Sequence, residues 1–248
     1  MSIDFTYRSY EALLRFIREE LGRPIVPLRD EPTDAAFVIL RHDIDYSIVK
    51  ARRLAEIEHT VGARATVFVL LTSEYYNLLM TENLAALRDI AAMGHEIGLH
   101  YDTGALDGHS PEMQAAEVAR LARLLEEIAG VPVTSVAQHN PSLTPVRLTI
   151  AGYRDAYDRR FCKDIAYLSD SRRLFGAPDV RRFFRDHPRS QLLVHPLWYH
   201  DRELTRRESF DAIRTANDRL VSGRLDAMNA SMEEDERRFR ARDAAAGN

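Results

Sequence analysis

Five side chains able to bind a metal ion or move a proton stand where apolar runs end. In Leu40-Arg41-His42-Asp43-Ile44-Asp45, which closes the run Phe37-Val38-Ile39-Leu40, two aspartates lie two residues apart. On an extended backbone this spacing sends both carboxylates to one face and His42 to the other. Histidines close three further runs: His100 in Glu96-Ile97-Gly98-Leu99-His100, His139 in Val136-Ala137-Gln138-His139, and His195 in Leu192-Leu193-Val194-His195. Carboxylate and imidazole without thiolate suit a zinc-like divalent ion that keeps a position open for water, for which three protein ligands are the usual number. One aspartate and two histidines fill that number and leave an aspartate and a histidine for proton transfer. Taken singly, each residue has a plainer reading: a histidine at a strand end is commonly hydrogen-bonded structure, and Asp45 is close enough to Ser47 to cap a helix. Four strand ends carrying such residues point instead to one rim, because ligands of α/β sheets and barrels gather at the carboxyl ends of the strands.

The runs that must position these residues are rich in β-branched and aromatic side chains, and residues 36–45, 63–71, 95–101, 133–139, 164–171 and 191–199 read as strands. Helices are predicted between them. One runs from Ser47 to His59 behind a cap at Ser47, one from Glu82 to Met93 ahead of Gly94, and one from Pro111 to Ala129 between Ser110 and Gly130. Near-continuous apolar strands alternating with helices predict an α/β fold, a mostly parallel sheet covered on both faces. Six visible strands suit a barrel or an open doubly wound sheet. The stretch from Glu203 to about Arg242 reads as one or two helices with a charged, solvated outer face.

The composition narrows the partners. The chain has 248 residues, 45% hydrophobic and 29% charged, which is ordinary for one globular domain. A formal charge of −4 spread over mixed Asp, Glu and Arg excludes a nucleic-acid footprint or a polybasic membrane patch, and leaves small molecules or other proteins as partners. Cys162 is the single cysteine, so neither an intramolecular disulfide nor a thiolate zinc site is available. No strand leads into a glycine-rich phosphate loop, and no Gly-x-Ser-x-Gly elbow is present. The first twenty residues lack the pattern of an export signal, and no apolar run reaches membrane-spanning length, so the expectation is a cytoplasmic protein with no membrane span.

In Arg41-His42-Asp43-Ile44-Asp45, Gly94-His95-Glu96-Ile97-Gly98-Leu99-His100 and Leu192-Leu193-Val194-His195-Pro196, the sequence resembles the polysaccharide deacetylase family, also called the NodB-homology or carbohydrate esterase family 4 proteins, over roughly residues 36–200. The resemblance implies a distorted (β/α) barrel of about seven parallel strands. It would occupy a single domain over 1–248, with a core at about 36–200 and a helical extension at 203–242. It also implies removal of acetyl groups from sugars with a divalent metal, usually zinc. Asp43 matches the position of the catalytic base, Asp45 and His100 those of metal ligands, and His195 that of the general acid. The Asp-x-Asp form is closer to relatives that act on other amides.

Two departures reshape the site. Where the family places a second metal histidine four residues after the first, this chain has Gly104. Where the family carries an arginine that orients the base, this chain has His139 in Ala137-Gln138-His139-Asn140-Pro141. We infer that His139 supplies the missing ligand, with His109 and Asp102 as competitors. Four residues are assigned to the substrate or to support of the ligands. Arg41 pairs with Asp43 or with a substrate carboxylate, and Asn140 follows His139. Asp170 sets the tautomer of His195 or caps the next helix, and Trp198, beside Tyr199, offers a ring to a sugar or fills the core. The activity expected is removal of an acetyl group from an N- or O-acetylated sugar or sugar derivative, in the assembly of cell-surface glycan. The alternatives are hydrolysis of a non-sugar amide and a pseudoenzyme that binds carbohydrate without turnover.

Overall fold

The structure, a computed structural model, describes residues 4–32, 35–142, 148–176 and 179–246. Two compact units make it up, residues 1–206 and 207–248. In the first, eight strands form one parallel sheet: β1 (Ile25–Val26), β2 (Phe37–Ile44), β3 (Thr66–Leu70), β4 (Glu96–Tyr101), β5 (Ser135–Gln138), β6 (Arg154–Asp155), β7 (Ala166–Ser169) and β8 (Arg189–Val194). Seven of them follow the order β6-β5-β4-β3-β2-β8-β7, and β1 pairs with the start of β2. Among the described residues β6 and β7 remain edges, so the sheet curls into a distorted (β/α) barrel left open on that side.

Helices α1 (Tyr7–Arg15), α2 (Ile48–Thr60), α3 (Thr81–Ala92), α4 (Pro111–Ala129), α5 (Arg159–Cys162) and α6 (Val180–Asp186) connect or flank the strands. Their ends follow local chemistry. The Ser47 hydroxyl accepts the Lys50 N–H at 3.3 Å and starts α2, and Ser110 does the same for Met113 ahead of Pro111 in α4. Gly130 stops α4 at φ 70°, a left-handed conformation that costs glycine little. Two strands stop two or more residues short of expectation. The strand predicted over 191–199 stops at Val194, because Pro196 has no N–H to continue a ladder and opens a 3-10 turn over Pro196–Trp198 instead. The strand predicted over 164–171 stops at Ser169.

The two-residue period of the strands separates two layers. Ile44, Val67, Val69, Ile97, Leu99, Tyr101 and Val136 pack under the helices with Ile48, Leu87 and Leu125. Phe37, Ile39, Phe68 and Ala137 form a second cluster on the inner face with Phe161 and Ile165. His42 obeys the same period. It leaves β2 toward the helix layer, where its Nε2 lies 2.7 Å from buried Glu58, which also accepts the Tyr10 hydroxyl at 2.7 Å. Glycine is required at one inner position: a Cβ on Gly98 would lie 2.6 Å from the Phe68 ring and 3.1 Å from the Ser135 carbonyl oxygen.

The second unit is helical. One continuous helix, α7 (Arg206–Ala246), takes the place of the one or two helices predicted over 203–242. Its surface carries ion pairs three and four residues apart, such as Arg237–Glu234 at 2.9 Å and Arg238–Glu234 at 3.0 Å. No helix among the described residues is long and apolar enough to cross a membrane.

Candidate active site

The carboxyl ends of β2, β4, β5, β7 and β8 meet at one rim. The β2 backbone is fixed first. Tyr76 Oη lies 2.9 Å from the Ile44 carbonyl oxygen and accepts the Leu70 N–H at 3.1 Å, and the Ser73 hydroxyl donates to the Asp45 carbonyl at 2.7 Å. These bonds tie the end of β2 to the loop after β3 and hold Asp45 just beyond the last paired residue.

Three side chains converge from there. His100 donates Nδ1–H to the Ala137 carbonyl at 2.8 Å, which leaves the Nε2 lone pair facing the rim. His139 continues β5 alongside β4 through its N–H, bonded to the Tyr101 carbonyl at 2.7 Å. Asp45 Oδ1 then lies 3.4 Å from His100 Nε2 and 3.3 Å from His139 Nδ1, and the two nitrogens are 3.2 Å apart. Asp45 Oδ1 is itself buried, and among the described residues these two imidazoles are its polar neighbours. Ligands at about 2.0–2.1 Å from a tetrahedral ion are about 3.3–3.4 Å from one another, so the three atoms form one face of such a tetrahedron and leave its fourth corner to water or substrate. This is the one group of three histidine, cysteine or acidic residues among the described residues with metal-binding geometry. Burial favours the neutral acid at Asp45, but the two imidazoles hold its carboxyl well below the usual range. The same carboxylate raises His139 against the effect of burial. Asn140, at φ 44°, brings its amide nitrogen 2.8 Å from His139 Nε2. Turning that amide by half a turn offers Oδ1 to an Nε2–H, the tautomer that coordination through Nδ1 requires.

His109 and Asp102 lie outside this group. His109 is exposed, with Nδ1 3.2 Å from the Leu106 carbonyl, and Asp102 accepts the Gly104 N–H at 2.8 Å within its own turn.

Asp43 lies one step deeper on the same face of β2. Its two oxygens accept Arg41 Nε at 3.1 Å and Nη2 at 2.7 Å, a bidentate pair in which Arg41 is fully buried. The guanidinium lies 4.4 Å over the Tyr157 ring and 5.3 Å from that of Phe68. Of the two roles open to Arg41, the pair with Asp43 is the one its position allows. Burial opposes ionisation of Asp43, yet Arg41 and the nearby imidazoles keep its carboxyl low. His100 Nε2 is 3.8 Å from Asp43 Oδ2, which puts the aspartate beside the convergent trio.

His195 faces the trio from β8. Asp170, fully buried after β7, accepts His195 Nδ1–H at 2.6 Å and the His195 backbone N–H at 3.0 and 3.1 Å. The carboxylate thus fixes the ring, and it makes no capping bond to the turn that follows. Burial alone would lower His195, but Asp170 outweighs it and pushes the imidazole up to about 9. Trp198 and Tyr199 are both interior, 5% and 1% exposed, so neither presents an open ring to a sugar; the turn after Pro196 folds them inward. Tyr157, Tyr76 and Ser73 support the site without having been singled out from the sequence. The two-residue strand β6, which brings Tyr157 under Arg41, has no periodicity to reveal it.

No protein-family model and no curated protein matches the chain. Among solved structures it is similar to a carbohydrate esterase family 4 pseudoenzyme from Bacillus anthracis, at 20% identity and a TM-score of 0.46, over 75% of this chain and 62% of that one. The chain thus spans less than two thirds of that protein's length. It is also similar to the chitin deacetylase of the fungal pathogen Colletotrichum lindemuthianum, at 16% identity and a TM-score of 0.45, over 77% of this chain and 86% of that one. A third likeness is to a peptidoglycan deacetylase from Bacillus subtilis, at 15% identity and a TM-score of 0.39, over 75% and 85% of the two chains. These likenesses are of the fold, a parallel (β/α) sheet.

Proposed function

We propose that the chain is a metal-dependent hydrolase that removes an acetyl group from an N- or O-acetylated sugar or sugar derivative, in the making of cell-surface glycan. The observation that carries this reading is the triangle of Asp45 Oδ1, His100 Nε2 and His139 Nδ1, with edges of 3.2–3.4 Å, flanked by the Asp43 carboxylate and the His195 imidazole. Asp45, His100 and His139 would hold a divalent cation, zinc by the chemistry of the donor set. Such an ion polarises a carbonyl and acidifies a bound water.

The remaining residues divide the proton transfers. Asp43 receives the proton of the attacking water at its carboxylate, and Arg41 holds that carboxylate ionised and in one orientation. A carboxylate held this low is a weak base, so Arg41 gives Asp43 a fixed orientation at the expense of proton affinity. His195 carries its proton at neutral pH and gives it from Nε2 to the departing nitrogen or oxygen. Asp170 keeps Nδ1 occupied, so that Nε2 is the atom that faces substrate. Acid and base are thereby separated by their surroundings, the arrangement that lets both act at one pH.

The test uses the full chain stripped with a chelator and titrated with zinc by calorimetry, followed by assay on N-acetylglucosamine oligomers. One zinc per chain is expected, lost in His139→Ala. Acetate release is expected from the wild type and not from Asp43→Asn, which still binds zinc. Failure to take up stoichiometric metal, or equal acetate release by Asp43→Asn, overturns the reading.

A further inference from the structure

The 41-residue helix α7 carries an apolar seam that the hydrolase chemistry does not use. Val221, Leu225, Met228, Met232 and Phe239 are each 56–66% exposed. Their spacing alternates between four and three residues, with one step of seven, which is a heptad seam with Leu225, Met232 and Phe239 at a and Val221 and Met228 at d. In the same register the seam continues through Asp218, Asp235 and Arg242. Exposed large apolar side chains in such a row mark a surface that another helix covers.

We propose that α7 pairs antiparallel with α7 of a second copy of this chain, about a dyad at Ala230. The choice of occupant and direction follows from the pattern of the seam about that residue. Met228 and Met232 stand two residues to either side, and Val221 and Phe239 nine residues to either side. Opposite charges stand twelve residues to either side, Asp218 and Arg242. An antiparallel partner therefore sets methionine against methionine and valine against phenylalanine, and it closes each end with an aspartate facing an arginine. Asp235, opposite Leu225 of the partner subunit, falls beside Arg224 of the partner subunit. A parallel partner would instead oppose Asp218 to Asp218, Asp235 to Asp235 and Arg242 to Arg242, three like-charge layers in one short coil. The overlap from Asp218 to Arg242 is about 37 Å long at about 1.5 Å per residue, between three and four heptads, enough for a specific two-helix contact.

Sedimentation of the full chain tests the partner. Wild type is expected to sediment as a dimer at micromolar concentration, and the double variant Met228→Glu, Met232→Glu to raise the dissociation constant at least a hundredfold, while its circular dichroism at wavelengths reporting the sheet unit is retained. A monomeric wild type, or an unchanged dimer in the double variant, overturns the proposal. Cross-linking tests the direction and does not depend on that variant's folding. In a Cys162→Ser background, chains carrying Val221→Cys and chains carrying Phe239→Cys are expected to form a disulfide when mixed and not when kept apart. Disulfides formed by each chain alone, as a parallel pair requires, overturn it.

Discussion

Replacing Asp170 by Asn tests whether the raised pKa of His195 has the origin assigned to it. The substitution keeps the size of the side chain and an oxygen able to accept the His195 N–H, but it removes the charge 2.6 Å from Nδ1. With the carboxylate gone, only Asp43 and Asp45 still oppose burial, and His195 should titrate near its ordinary 6.5 rather than at about 9. That change corresponds to about 3 kcal/mol between the two protonation states. At pH 7.5 the protonated fraction falls from nearly complete to about a tenth, and the turnover that needs a proton on His195 should fall with it. The sign for stability follows from linkage. A folded value above the unfolded one stabilises fully below about 6.5, and the contribution disappears as pH rises through about 9. Wild type should therefore exceed Asp170→Asn in denaturant midpoint at pH 6 and lose most of that advantage by pH 10. The direct assay is a proton NMR titration of the His195 Cε1–H in both proteins. Coincident titration curves would refute the reasoning, because they would show that Asp170 positions the ring without setting its charge.

Arg41→Met should cost about 3–5 kcal/mol in urea unfolding, since it strands the buried Asp43 carboxylate, and the second change Asp43→Leu should restore much of that loss; a cost below about 1 kcal/mol would show that the carboxylate finds other partners. Gly98→Ala should cost about 1–3 kcal/mol by the same measurement, because the added methyl group would lie 2.6 Å from the Phe68 ring and 3.1 Å from the Ser135 carbonyl oxygen and force a shift.

The parts of this fold visible in the sequence are those whose signals are local. Ser110, Pro111 and Gly130 bound α4 with chemistry confined to a few residues, and the structure places its ends at those positions. Asp43, Asp45 and His42 could be sorted onto two faces of β2 because alternation is a property of the strand itself. The overrun of β8 shows a local signal given too little weight, since Pro196 marks where the ladder has to stop. Long-range pairing was not legible. From the sequence His139 stands only a little ahead of His109, and what sets it beside His100 is the bond from the His139 N–H to the Tyr101 carbonyl on the neighbouring strand. Arg41 had two credible partners until β6 brought Tyr157 beneath its guanidinium. Trp198 and Tyr199 could not be told apart because their burial depends on a turn that folds them back over distant residues.

The alternation of β2 also bears on how such a protein can change. Between Phe37 and Asp45 one strand carries two sets of instructions, with Arg41 and Asp43 directed to the rim and His42 to Glu58 under the helices. Losing or gaining a single residue there would exchange the two sets at once, so that the chemistry and its support are lost in the same event. An inserted residue is therefore better borne in the turns beyond the strand ends, where it reverses nothing behind it.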